Sequence, residues 1–379
     1  MTFFTAHTRT GGVAIIALAT VFGGTACSSD GNATGPEPTR AFLTGTSADP
    51  GIALSVSSSR NALLMLQTGS PDTRVEIPLG ASTTVTPADL SVRGTKAAIP
   101  LGNAASVALV DLANARIERF FTFPSGNATG SAWLDDSTII VCNQTNDYCG
   151  RIRTGRTANT IPDTVRVTDF PTGVIVVAGR VFVISSNLDN SFAQIGNGVV
   201  TELDATTNRI VRTFTVGLNP QYAAASPDGT RLLVTNSGDF GANNGSLSVI
   251  NLATNAVEAP ISGFGDFPGP ITVDSRGRAF VSGFSIGTVI WDLTTRSFLR
   301  GPANSVCARR ADAAGASVCR GATGAAIAAN GDLYQAFFGS GRQSLPSYLF
   351  RYDGTTLALK DSVSMPLGTN GVQVRTFPR

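Results

Sequence analysis

The 379-residue chain has one histidine, His7, and two lysines, Lys96 and Lys360. Removal of the first two dozen residues on export would leave no imidazole at all. That excludes Ser-His-Asp and Cys-His nucleophile pairs, histidine-ligated zinc or copper, and histidine-ligated haem. Charge is scarce as well: 14% of residues are Asp, Glu, Lys or Arg, and the net charge is +2. A nucleic-acid partner needs a basic face, and none is implied. Of the five glutamates, Glu76, Glu118, Glu202 and Glu258 fall on predicted outer strands or their edges, away from any paired acid and base. Past Ala26 no stretch is long and apolar enough to cross a bilayer, and no 3.6-residue period marks an amphipathic helix. What is plentiful is glycine, at 41 residues, beside 19 prolines, without the strict period of a collagen.

The N-terminus carries an export pattern. Met1 to Thr10 is polar with one firm positive charge, Arg9, and Gly11 to Ala26 is apolar or small throughout. The run ends in Gly24-Thr25-Ala26-Cys27, then Ser28 and a Gly/Pro/Asn/Thr-rich stretch to Arg40. This resembles a bacterial lipoprotein signal, whose cysteine is acylated and becomes the first residue. The resemblance implies a signal peptide over 1–26, a lipid on Cys27, a flexible tether over 27–40 and one domain over 41–379. It places the protein at the periplasmic or cell-surface side of a membrane that it touches only through the lipid. Gly24 departs from the aliphatic residue usual there, so ordinary cleavage after Ala26 is the alternative.

The other cysteines agree with export. Cys142 and Cys149 lie seven apart, Cys307 and Cys319 twelve apart, both pairs in Gly/Asn/Asp/Arg-rich surroundings. Three pairings are open, and proximity favours Cys142–Cys149 and Cys307–Cys319 as two loop disulfides.

A repeat organises the rest. Leu247-Ser248-Val249-Ile250-Asn251-Leu252-Ala253-Thr254-Asn255 alternates, stops at a polar turn and resumes as a hairpin. The same shape recurs around Asp111, Asp204, Asp292 and Asp353, where a short Asp or Asn side chain can take backbone N–H groups ahead of it. A second hairpin alternates with it, most clearly from Tyr222 through Pro227-Asp228-Gly229 to Asn236. The turn glycines Gly229, Gly277 and Gly331 are 48 and 54 residues apart. Four short strands per period predict the blades of a β-propeller, with separate β-sandwiches as the alternative.

Asn219-Pro220, Ser226-Pro227-Asp228-Gly229, Leu233-Val234-Thr235-Asn236 and Leu247 to Asn251 together resemble the YVTN-type propeller repeat of bacterial surface and periplasmic proteins. Six first-half units start near Thr83, Gly130, Gly173, Tyr222, Ile271 and Thr323. A seventh is assembled from Gly371 to Phe377 as inner strand and Ile52 to Ile77 as the remainder. The expectation is an all-β, seven-bladed propeller of four-stranded antiparallel blades, closed by a blade shared between the termini, and monomeric.

Loops after the second and fourth strands share one face, and they include Asn143–Gly150, Ser186–Gly198, Ser237–Gly245 and Gly301–Gly321. Asp147, Asp189 and Asp239 follow strand-ending asparagines on three consecutive blades. Together they could hold Ca²⁺, a hard cation that takes oxygen ligands, although solvated turn residues are the simpler reading and no other cofactor is implied. Arg309, Arg310 and Arg320 offer guanidinium groups for an anion. These features make the long-loop face the expected binding surface for an envelope protein, a peptide or a glycan. A hydrolase or lyase working with aspartates, and a purely structural surface protein, are the competing functions.

Overall fold

The computed structural model describes residues 42–43, 51–311, 317–339 and 346–377. Cys27, the 1–26 segment and the 27–40 tether lie outside the described residues. The chain forms seven antiparallel blades arranged as a β-propeller. Blade 1 comprises Ser91–Arg93, Lys96–Pro100, Ser106–Asp111 and Arg116–Thr122, from inner to outer strand. The inner strands of blades 2 to 6 are Ala128–Trp133, Pro171–Val177, Pro220–Ala225, Pro268–Val273 and Gly324–Ile327. Blade 7 draws its inner strand Thr369–Thr376 from the C-terminal end, laid against Gly51–Ser57, with Ala62–Gln67 and Ser70–Pro78 outside it. The closure expected from the sequence is the one observed.

Side-chain alternation builds the core. Successive residues of a strand face opposite sides, so each blade offers one set of apolar groups to each neighbour. Leu232 joins Phe182 and Val200 of blade 3, whereas Leu233 joins Ala279 and Trp291 of blade 5. Ile139 and Ile140 divide in the same way between blades 1 and 3. One apolar cluster fills each of the seven blade junctions, the last joining Leu54 and Leu63 to Ile99 and Val110.

The turns follow the sequence reading. The carboxylate of Asp204 accepts from the N–H groups of Thr206 and Thr207, and Asp111, Asn251, Asp292 and Asp353 make the same pair of bonds two and three residues ahead.

Three details depart from the reading. The first inner strand is only Ser91–Arg93, later than the Thr83 start. Ahead of it Thr86 and Ala88 donate to the carbonyls of Leu101 and Pro100, two bonds out of register with the ladder that starts at Ser91. The outer edge of blade 4 is split into Ala256–Val257 and Ile261–Ser262 around Pro260, which has no N–H to continue the ladder after Glu258. Asn143–Gly150 is a tight hairpin rather than a long loop, because strand pairing extends to Tyr148 and sets Cys149 opposite Cys142. Both disulfides form as expected. The second joins Cys307 to an added hairpin, Arg309–Ala311 with Ser317–Cys319, between blades 5 and 6.

Two partial belts tie successive blades together from blade 2 to blade 7. Near the long-loop face, Thr129 donates to the Pro171 carbonyl, Thr172 and Ser186 to that of Pro220, Ser237 to Pro268 and Thr323 to Thr369. At the short-turn face, Arg151 reaches the carbonyls of Ala205 and Thr206, Arg180 that of Leu252, Arg278 that of Gly354 and Arg351 that of Thr68. Each of these arginines is held by a carboxylate of its own blade, respectively Asp163, Glu202, Asp274 and Asp332.

Candidate functional site

The inner strands surround a central channel of about 880 Å³. Its wall mixes small apolar residues with polar ones, and the inner strands approach closely at two places, where Gly130 abuts Gly173 and Gly324 abuts Gly371. Each inner strand runs from the long-loop face to the short-turn face, so position along it gives depth. Thr172 and Gln221 stand at the long-loop end, whereas Arg93 and Arg375 close their strands at the other.

Asp89 is the one carboxylate lining this channel among the described residues. It accepts a 2.8 Å hydrogen bond from the Ser131 N–H, and the Ser131 hydroxyl lies 2.8 Å from that of Ser91. Burial pushes the Asp89 carboxyl above its ordinary value, against the hydrogen bonds that favour its ionised form. The Tyr222 phenol is raised to about 12, first by burial and then by the negative charge of Asp89. Burial lowers Arg375.

The sign of the Asp89 shift gives a test. A carboxyl raised in the folded state opposes folding once ionised, and the penalty disappears below its unfolded value of about 3.9. Asp89→Asn keeps an acceptor for Ser131. Thermal melts are expected to show a midpoint a few degrees above wild type at neutral pH, with the gap closing below about pH 3.5. A variant less stable than wild type at neutral pH would mean that the ionised carboxylate is favoured there.

At the long-loop end the channel adjoins a second cavity of about 500 Å³, the two sharing Gln144, Thr172 and Gln221 in their walls. Its sides are four phenylalanines from two neighbouring sectors of the rim. Phe170 and Phe192 meet edge to face at 5.4 Å, Phe240 and Phe267 at 5.7 Å, both with ring planes 73° apart. Phe192 is 72% exposed and Phe240 81% exposed, so neither is held out of water by the core. Phe170, Phe192 and Phe267 all have left-handed backbone, with φ of 59°, 64° and 52°. Bulky residues seldom adopt it, and no other phenylalanine among the described residues does. Phe170 and Phe267 share this conformation with Asn219, each being the residue before the proline that opens an inner strand, so that turn recurs with the blades.

The residues expected from sequence fall into separate settings. Asp147 sits in the tight hairpin, accepting from the Phe170 N–H at 2.9 Å and pairing with Arg166 at 3.4 Å. Asp189 binds the N–H groups of Ser191 and Ala193 in its own loop. Asp239 lines the aromatic cavity and accepts from the Asn244 amide. Among the described residues no three His, Cys, Asp or Glu side chains come together, so the three aspartates do not form one cluster. Arg320 is stacked over the rings of Phe337 and Tyr348, at 5.4 and 5.2 Å. Arg309 is exposed and donates to the Ser317 carbonyl. Arg310 pairs with Val318 in the same hairpin, and its side chain lies outside the described residues.

The fold is shared with solved propellers. Hydrazine synthase from Kuenenia stuttgartiensis aligns with a TM-score of 0.60 at 16% identity, covering 78% of this chain and 91% of that one. A functionally unknown protein from Desulfotomaculum acetoxidans DSM 771 aligns with a TM-score of 0.61 at 12% identity, over 86% and 99%. At these identities the likeness establishes the fold alone. No family model and no curated protein matches the sequence. No helix among the described residues is long and apolar enough to cross a membrane. Two disulfides fit an oxidising compartment.

Proposed function

We propose that the protein is an exported, lipid-anchored propeller that acts as a monomeric binding module at the bacterial cell envelope, its ring built from YVTN-type repeats. The observation that carries this reading is the phenylalanine-walled cavity continuous with the channel mouth. A rigid ring holding a recess with exposed aromatics is a binding device, since such rings offer large contact area at little entropic cost. The partner it suits is an envelope protein, a peptide or a glycan. The aspartate hydrolase reading requires a carboxylate pair, and the described channel wall offers Asp89 alone.

Two readouts test the proposal. Cys27→Ser should move the protein from the membrane to the soluble fraction of its cell of origin. A photo-crosslinking residue at Phe240 should give adducts in cells that the same residue at Asp228, on the opposite face, does not. A soluble wild-type protein would overturn the anchor, and adducts from Asp228 alone would overturn the binding face.

A further inference from the structure

We infer that the aromatic cavity takes an alkylated ammonium group. This rests on the long-loop face being the binding face and names the ligand chemistry for it. Two rings about perpendicular to each other make a corner, and two such corners, Phe170 with Phe192 and Phe240 with Phe267, wall one cavity. A set of π faces at right angles suits a compact, weakly hydrated cation, which the ring quadrupole attracts.

The local charge has the matching sign. Asp239 is the single charged residue in the cavity wall. The loops that carry the rings add Asp189 beside Phe192 and Asp266 beside Phe267, and Asp266 accepts from the Gly241 N–H. Among the described residues none of these three carboxylates has an ion-pair partner. Arg166, in the strand leading to Phe170, is engaged by Asp147 and Asp169. Below the cavity the channel presents Asp89 first, and its guanidinium groups, Arg93 and Arg375, stand at the far end. An anion would meet carboxylates at this mouth, and a neutral apolar group would leave them unanswered.

The test compares dissolved choline with 3,3-dimethylbutan-1-ol, its uncharged isostere, by ligand-observed NMR titration on the exported chain carrying Cys27→Ser. Choline is expected to bind at least tenfold more tightly than the isostere. Phe192→Leu with Phe240→Leu, both exposed and outside the core, should weaken choline about tenfold, and Asp239→Asn about fivefold. Arg375→Gln, at the other end of the channel, should leave it unchanged. Co-sedimentation separates the sources of the group: retention by phosphatidylcholine but not phosphatidylglycerol vesicles supports a lipid headgroup, and binding of dissolved choline alone supports a soluble ammonium. Absence of binding in every format, or equal binding of choline and isostere, would overturn the ammonium assignment while Phe240 crosslinks still upheld the binding face. Choline binding that survives both phenylalanine changes would overturn the site.

Discussion

A chain ended at Met365 is expected not to fold into a ring. It lacks the strand Thr369–Thr376, which carries Val372 and Val374, and it also lacks Phe377. Those three side chains fill the junctions on both sides of blade 7. At about 1.5–3 kcal/mol for each buried apolar side chain, their removal costs about 5–9 kcal/mol, a sum comparable to the whole stability of many domains. The edge of Gly51–Ser57 would also lose its ladder, and Ser55 its bond to the Gly371 carbonyl. Circular dichroism and thermal melting of the shortened chain should show no cooperative transition, and a peptide spanning residues 366–379 added in trans should restore one. A cooperative melt within a few degrees of the full chain, without the peptide, would show that blade 7 closes the ring on three strands.

Gly130→Ala is expected to lower the thermal midpoint by about 2–5 °C, from overpacking that costs about 1–3 kcal/mol. A Cβ on Gly130 would lie 2.5 Å from the Gly173 Cα and 2.8 Å from the Gly173 carbonyl carbon. Both obstacles are backbone, so no side chain can turn away, and the inner strands of blades 2 and 3 would have to separate. Gly155→Ala is the control, since a Cβ there meets nothing within 4 Å. Equal midpoints for the two variants would mean that the inner strands shift apart at no cost.

How much of this was legible depended on sequence distance. The Asp and Asn turns were readable because donor and acceptor lie two or three residues apart, as Asp204 with Thr206 and Thr207 shows. Blade number and closure followed from the repeat of those turns. The arginine belt was hidden because its bonds join residues such as Arg180 and Leu252, 72 positions apart, with a backbone carbonyl as acceptor. Asp89 and Tyr222 were not singled out as channel residues, since a residue's radius in the ring leaves no mark on its neighbours in sequence. Phe170, Phe192, Phe240 and Phe267 lie on separate loops in the sequence, and their convergence needs the curvature of two blades. Asn143–Gly150 misled because Asn, Asp, Cys and Gly also suit a tight hairpin, which pairing through Tyr148 creates.

The two belts bear on how such a chain can change over time. Each donor is a side chain of one blade, and each acceptor named for it is a main-chain oxygen of the next: Pro171, Pro220, Pro268 and Thr369 on one face, Ala205, Leu252, Gly354 and Thr68 on the other. A main-chain oxygen is present whatever residue occupies the position. A blade can therefore exchange its own side chains at these points without loosening its predecessor's grip, provided its backbone keeps its path. At these points a change on the gripped side leaves the bond to the main chain in place, whereas a change of the donor on the gripping side removes it.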